Sequence, residues 1–274
     1  MINVLDEELC LPDDTKYKHF NSVSIDNVDI SKSKNSTLDW YPMDTEELFN
    51  ENLKKEPNNK TLLYYLDNPI EYRINDVGFR TDSSFNTDKA GNVFLGCSHT
   101  FGIGNHLEDT WSYKLNKLVD GEFFNLGVPG QGISTSLRLL RYWSIKLNIK
   151  NIFHYQPIYH RYEFYKPNKV IHMFGVTDLE NIKDRDLREV LSSDENILEL
   201  YKNSILAISA IAQSLGIPYY YYTPHAETEP EFIKNKHTVK MPPFIARDLA
   251  HHSILENEII ANFFIEKLGH KLFV

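Results

Sequence analysis

Cysteine is almost missing from this chain: Cys10 and Cys97 are the only two in 274 residues. Two cysteines cannot build an all-thiolate zinc site. One lies in a polar N-terminal stretch and the other ends an apolar run, which is no disulfide framework. Long apolar runs are missing too, none approaching the roughly 20 residues of a membrane-spanning helix. The N-terminus, Met1-Ile-Asn-Val-Leu-Asp-Glu-Glu8, lacks the basic flank and apolar core of a signal peptide. The expectation is a protein of the cytoplasm or another intracellular space, with no membrane partner. Basic charge is in deficit, 29 Lys and Arg against 38 Asp and Glu for a net charge of −9. That argues against a nucleic-acid partner gripped by a general basic surface.

Cofactor signals are equally thin. Gly102-x-Gly104 is too short for a dinucleotide fingerprint and has no acidic ribose partner, so no cofactor is expected. His251-His252, with His99 and His106, comes nearest to a ligand cluster. Adjacent histidines on one loop seldom both ligate one ion, and no His-x-x-x-His pair occurs, so no metal is expected either.

What is present is core material: 42% hydrophobic and 13% aromatic residues. That suits one large α/β domain, or a medium one with an extension. Residues 1 to about 60 are polar, with apolar islands at Leu38, Trp40, Tyr41, Leu48 and Phe49 and a short helix expected over Glu46 to Lys55. They belong to an N-terminal extension over 1–88 that packs on a main domain over 89–274. Tyr72 to Arg80 is expected as an edge strand with a turn at Gly78.

From Asn92 onward strands alternate with helices, the pattern of a parallel sheet flanked by helices. Val93–Leu95 is a buried strand. Asp109 caps a helix with Trp111, Leu115 and Leu118 on one face. Phe123–Leu126 is a strand, followed by a helix carrying Ile133, Leu137, Leu140 and Trp143. Asn151–Tyr155 is the third strand. Residues 158–194 read as an irregular insertion, with Arg161 set to pair with Glu163 or to hold a substrate. A helix over 196–215 with Leu198, Leu200, Ile205, Leu206, Ile208 and Ile211 precedes a strand at Ile217–Tyr222. A last helix over 253–268 ends at Gly269.

Three places on one predicted sheet edge carry chemistry. Val93–Leu95 stops at Gly96-Cys97-Ser98, which leaves a hydroxyl at the carboxyl edge, where open α/β sheets bind ligands. Gly130 follows the second strand and can turn an unhindered backbone amide to a ligand. Asp248-Leu-Ala-His251 precedes the last helix. A serine hydroxyl needs an adjacent base, a histidine serves, and a carboxylate fixes the imidazole tautomer. Cys97 is read as turned back into the core.

The order Gly96-x-Ser98-x-Thr100-x-Gly102, Asn125-x-Gly127-x-x-Gly130 and Asp248-x-x-His251 resembles the SGNH (GDSL-type) hydrolase family over roughly residues 90 to 270. Asn75-x-x-Gly78-Phe79-Arg80 resembles the lead-in of some members. The resemblance implies a three-layer α/β/α sandwich with a central, mainly parallel sheet. It implies hydrolysis of an ester-linked acyl group through an acyl-enzyme, with Ser98 as nucleophile, His251 as base and Asp248 orienting it. The oxyanion hole would be the backbone amides of Ser98 and Gly130.

Two positions depart from the family. Cys97 replaces the usual aspartate, and the third block, Gly-x-Asn-Asp, is absent; Gln156 at the end of the third strand stands in for its asparagine. His160 and Arg161 are the candidate substrate contacts, and the expected partner is a small-molecule or glycan acyl ester. His252 is read as a surface residue, and His154 as structural or cleft-lining. The alternative is a catalytically weak or inactive binding module on the same fold.

Overall fold

The computed structural model describes residues 34–166, 169–173, 193–224 and 246–269. At its centre four parallel strands lie in the order β4–β3–β5–β8: β3 (Gly91–Leu95), β4 (Glu122–Asn125), β5 (Ile149–Tyr155) and β8 (Tyr219–Tyr222). The chain leaves β3 for β4 on one side, then crosses back to β5 on the other. That makes the carboxyl end of β3 a topological switch point, where this architecture opens a crevice.

Strand side chains alternate between two covered faces. Phe94, Phe153, Tyr155, Tyr220 and Tyr222 point to one side, where they meet α4 (Trp111–Val119) and α7 (Ile254–Gly269) through Trp111, Leu115, Ile260 and Phe264. Trp111 is fully buried and stacks on Phe264 with ring centroids 5.1 Å apart. Val93, Leu95 and Ile152 point to the other side, under α5 (Ile133–Trp143) and α6 (Asp194–Ser214). Each such fully buried large side chain contributes about 1.5–3 kcal/mol relative to exposure. Among the described residues no helix is long and apolar enough to cross a membrane.

The described part of the N-terminal arm supplies β1 (Ser36–Leu38), α1 (Glu46–Lys55), α2 (Lys60–Asp67) and β2 (Tyr72–Ile74). Tyr41, Phe49, Leu62, Tyr65, Ile70 and Tyr72 join the α5/α6-side core. The Asn75–Gly78 turn is tied by Asn75 Oδ1, which accepts the N–H groups of Val77 (3.2 Å) and Phe79 (2.8 Å). It turns Arg80 fully inward, where burial lowers its pKa to about 10.

Several expectations need correction. Thr110, not Asp109, caps α4: its backbone is extended and its hydroxyl accepts the Tyr113 N–H at 3.3 Å, while Asp109 closes a 3-10 turn. Leu118 is 64% exposed, because Val119 rather than Leu118 meets the core at that end of the helix. Leu200 and Leu206 are also exposed; Ile197, Tyr201, Ile205, Ile208 and Ile211 form the buried stripe of α6. The insertion is partly regular, since β6 (Tyr162–Lys166) and β7 (Lys169–Met173) pair antiparallel. Residues 174–192 and the polar loop at 225–245 lie outside the described residues, as does Cys10.

Candidate active site

Ser98 begins α3 (Ser98–Phe101), the short helix entered directly from β3. Gly96 makes that entry possible. Its φ is +147°, and a Cβ there would stand 2.2 Å from Thr100 Oγ1 and 2.7 Å from the Tyr155 carbonyl oxygen. Cys97 accepts the N–H groups of Thr100 and Phe101 on its carbonyl, both at 3.0 Å. Its side chain is buried among Phe94, Trp111 and Tyr155, as its reading as a core residue requires.

Ser98 itself is 5% exposed. Among the described residues its hydroxyl has no hydrogen-bond partner, so none joins it to His251. Its backbone N–H and that of half-buried Gly130, at φ +75°, likewise donate to no acceptor among the described residues.

Asp248 and His251 form a closed local unit. Asp248 Oδ1 accepts the N–H groups of Ala250 and His251, each at 3.1 Å, and Oδ2 lies 2.5 Å from His251 Nδ1. The turn holds Leu249 in the left-handed region at φ +57°, a conformation that costs a residue with a Cβ about 1–2 kcal/mol. Both side chains are buried, Asp248 completely.

This unit lies beside the Ser98 turn. The Arg247 N–H donates to the Gly104 carbonyl at 3.0 Å, and Asn105 Nδ2 donates to the His252 carbonyl at 2.9 Å. The His99 ring centroid is 5.0 Å from that of His251. The turn after β3 and the loop before α7 therefore meet at the switch point.

His252 is not a surface residue. It is 2% exposed, its Nε2 is 2.8 Å from the Tyr155 hydroxyl, and its Nδ1 is 3.4 Å from Glu256 Oε1. Burial pulls its pKa down, with the Glu256 carboxylate opposing. Glu256 and Ser253 make a capping box at the start of α7: Ser253 N–H donates to Glu256 Oε2 at 2.7 Å, and Glu256 N–H to Ser253 Oγ at 3.2 Å. The motif Ser253-x-x-Glu256 ahead of an apolar run was the signal that marked this buried pair.

Gln156 is fully buried at the end of β5. Its Oε1 accepts the hydroxyls of Thr223 (2.6 Å) and Tyr201 (3.5 Å). Its Nε2 makes no hydrogen bond of regular geometry among the described residues and faces the Tyr219 hydroxyl, whose pKa it lowers against the larger effect of burial. His154, two residues earlier on the same face, is fully buried. Its Nδ1 meets the Tyr219 hydroxyl at 2.9 Å, and burial lowers its pKa to about 3.

Arg161 does not pair with Glu163. Glu163 is claimed by Arg138 through two bonds of 3.0 and 2.9 Å, and by the Thr135 hydroxyl at 2.5 Å. The Arg161 backbone packs on Gly132, where a Cβ would stand 1.8 Å from its carbonyl oxygen. His160 is half-buried, and its pKa is lowered by burial and then by the Arg161 charge. Among the described residues no group of three or more His, Cys, Asp and Glu side chains is placed to hold a metal ion.

Fold and site together describe a mixed α/β protein with a parallel sheet flanked by helices and a histidine–carboxylate pair at the sheet's carboxyl edge. No protein-family model and no curated protein matches this chain. One solved structure that aligns with it is a member of the lipolytic protein G-D-S-L family from Veillonella parvula DSM 2008. The two are 14% identical, over 65% of this chain and 97% of that one, with a TM-score of 0.31.

Proposed function

We propose that this protein is a serine hydrolase that cleaves an ester-linked acyl group through an acyl-enzyme. The observation that carries the reading is the Asp248–His251 pair, 2.5 Å apart and docked against the Ser98 turn at the switch point of a parallel sheet. With Nδ1 held by the carboxylate, His251 Nε2 is left to take the Ser98 proton as the hydroxyl attacks the acyl carbon. It then returns that proton to the leaving oxygen. Water attacks the acyl-enzyme in the second half and releases the acid.

Charge on the tetrahedral oxygen is met by the uncommitted N–H groups of Ser98 and Gly130, with the Gln156 carboxamide as third donor. Each such donor is worth about 3 kcal/mol in the transition state. His160 and Arg161 are the substrate contacts in this reading, and a glycan or small-molecule acyl ester is the substrate class. One observation favours the second reading, a non-catalytic binding module: the Ser98 hydroxyl has no bond to His251.

Turnover of p-nitrophenyl acetate separates the two. Hydrolysis by the wild type that persists in Cys97→Ala and is lost in His251→Ala supports the hydrolase. A folded wild type with no turnover supports the binding module.

A further inference from the structure

Arg247 stands directly before Asp248, yet its side chain reaches into the N-terminal arm. Its Nε is 3.0 Å from both oxygens of Asp44, and its Nη2 is 2.7 Å from Oδ2 and 2.9 Å from the Asp39 carbonyl. The guanidinium lies 4.0 Å from the Trp40 ring centroid. Both members of the ion pair are buried, with 2% and 1% of their side chains exposed.

The same Asp44 Oδ2 accepts the Tyr72 hydroxyl, and that hydroxyl oxygen accepts the Gly104 N–H at 2.9 Å. The Gly104 carbonyl in turn accepts the Arg247 N–H. The circuit is closed: Asp44 to Arg247, Arg247 to Gly104, Gly104 to Tyr72, and Tyr72 back to Asp44. Arg80, 4.3 Å from the Tyr72 ring centroid, fixes the same turn by donating to the carbonyls of Gly102 (2.5 Å) and Asn105 (2.8 Å). One carboxylate from the arm thus links the two halves of the candidate site, about 150 residues apart in sequence: it bonds directly to Arg247 and reaches the Ser98 turn through Tyr72.

We propose that Asp44 is a positioning residue that sets the spacing between the Ser98 turn and the Asp248–His251 loop, so that the N-terminal arm belongs to the catalytic apparatus. This rests on the hydrolase reading. A carboxylate is required because the position must receive a guanidinium and a phenolic hydroxyl together. A neutral amide would leave the Arg247 cation buried without its counter-charge, and the loop that carries it would move toward water. A displacement on the order of 1 Å between nucleophile and base costs about 100-fold in rate.

The test uses the full chain with Asp44→Asn and Tyr72→Phe. Steady-state hydrolysis of p-nitrophenyl acetate is read beside deuterium exchange in peptides covering 98–105 and 246–252. Asp44→Asn is expected to lower kcat about 10- to 100-fold with KM within about threefold, and to speed exchange in both segments but not in β3 and β5. Tyr72→Phe, which keeps the ion pair, gives a smaller loss of kcat and faster exchange mainly in 98–105. It carries the test if Asp44→Asn does not fold.

Wild-type kcat, a loss confined to KM, or unchanged exchange in 246–252 of folded Asp44→Asn overturns the proposal. If the wild type turns over no ester, the hydrolase reading fails separately and exchange alone decides. Faster exchange in both segments then keeps Asp44 as the residue that holds the two loops together, and unchanged exchange removes it.

Discussion

Asp248 holds His251 at two points: Oδ2 is 2.5 Å from the imidazole Nδ1, and Oδ1 accepts the His251 backbone N–H at 3.1 Å. One side chain therefore fixes both the position of the loop and the orientation of the ring it carries. A carboxylate on Nδ1 favours the tautomer whose Nε2 is free to accept a proton, which is the state a general base needs. The three-residue spacing makes this cheap in chain entropy, since the loop between the two residues is one turn long.

Gln156 is the one side-chain donor proposed for the oxyanion, and the simplest to test. If its Nε2 serves the oxyanion, Gln156→Ala lowers kcat about 10- to 1000-fold with KM little changed. An unchanged kcat in folded protein takes Gln156 out of the site and leaves it as the buried acceptor of Thr223 and Tyr201.

His154 predicts how stability responds to acid. Burial holds its folded pKa near about 3, whereas the unfolded chain binds that proton near 6.5. Between those values the unfolded state carries the extra proton, so the contribution is complete above about pH 6.5 and is lost as pH falls toward 3. His154→Gln should shrink the stability difference between pH 7 and pH 5, measured by urea unfolding, by about 2 kcal/mol. An equal difference in wild type and variant would show that His154 does not titrate this way.

Gly132 separates contact from backbone conformation. Its φ of −102° is open to any residue, but an added Cβ would stand 1.8 Å from the Arg161 carbonyl oxygen. Gly132→Ala is expected to cost about 1–3 kcal/mol in urea unfolding. It should also raise KM more than it lowers kcat, because the segment carrying His160 and Arg161 must shift. A variant as stable as the wild type would mean that this segment yields freely.

The sheet was legible because its strands are short apolar runs closed by Gly or Pro, and a parallel sheet buried on both faces leaves that signature. The Asp248–His251 contact was legible because the two residues stand three apart in a loop that leads directly into a helix. His252 was misread because adjacent histidines carry no periodicity; the clue lay one residue on, in the Ser253/Glu256 capping box that draws the segment inward. Arg161 and Glu163 look like natural partners two residues apart. On a strand, however, Glu163 faces α5, where Arg138 and Thr135 claim it. The Asp44–Arg247 pair could not be read at all, since a contact across about 200 residues leaves no local pattern.

The central claim is that Ser98 is an activated nucleophile, and a fluorophosphonate probe followed by mass mapping of the labelled peptide tests it most directly. The account predicts that the wild type is labelled on Ser98, that Cys97→Ala is labelled as well, and that Ser98→Ala is not. A folded wild type that resists the probe, or a Ser98→Ala protein that still takes it, would contradict the account.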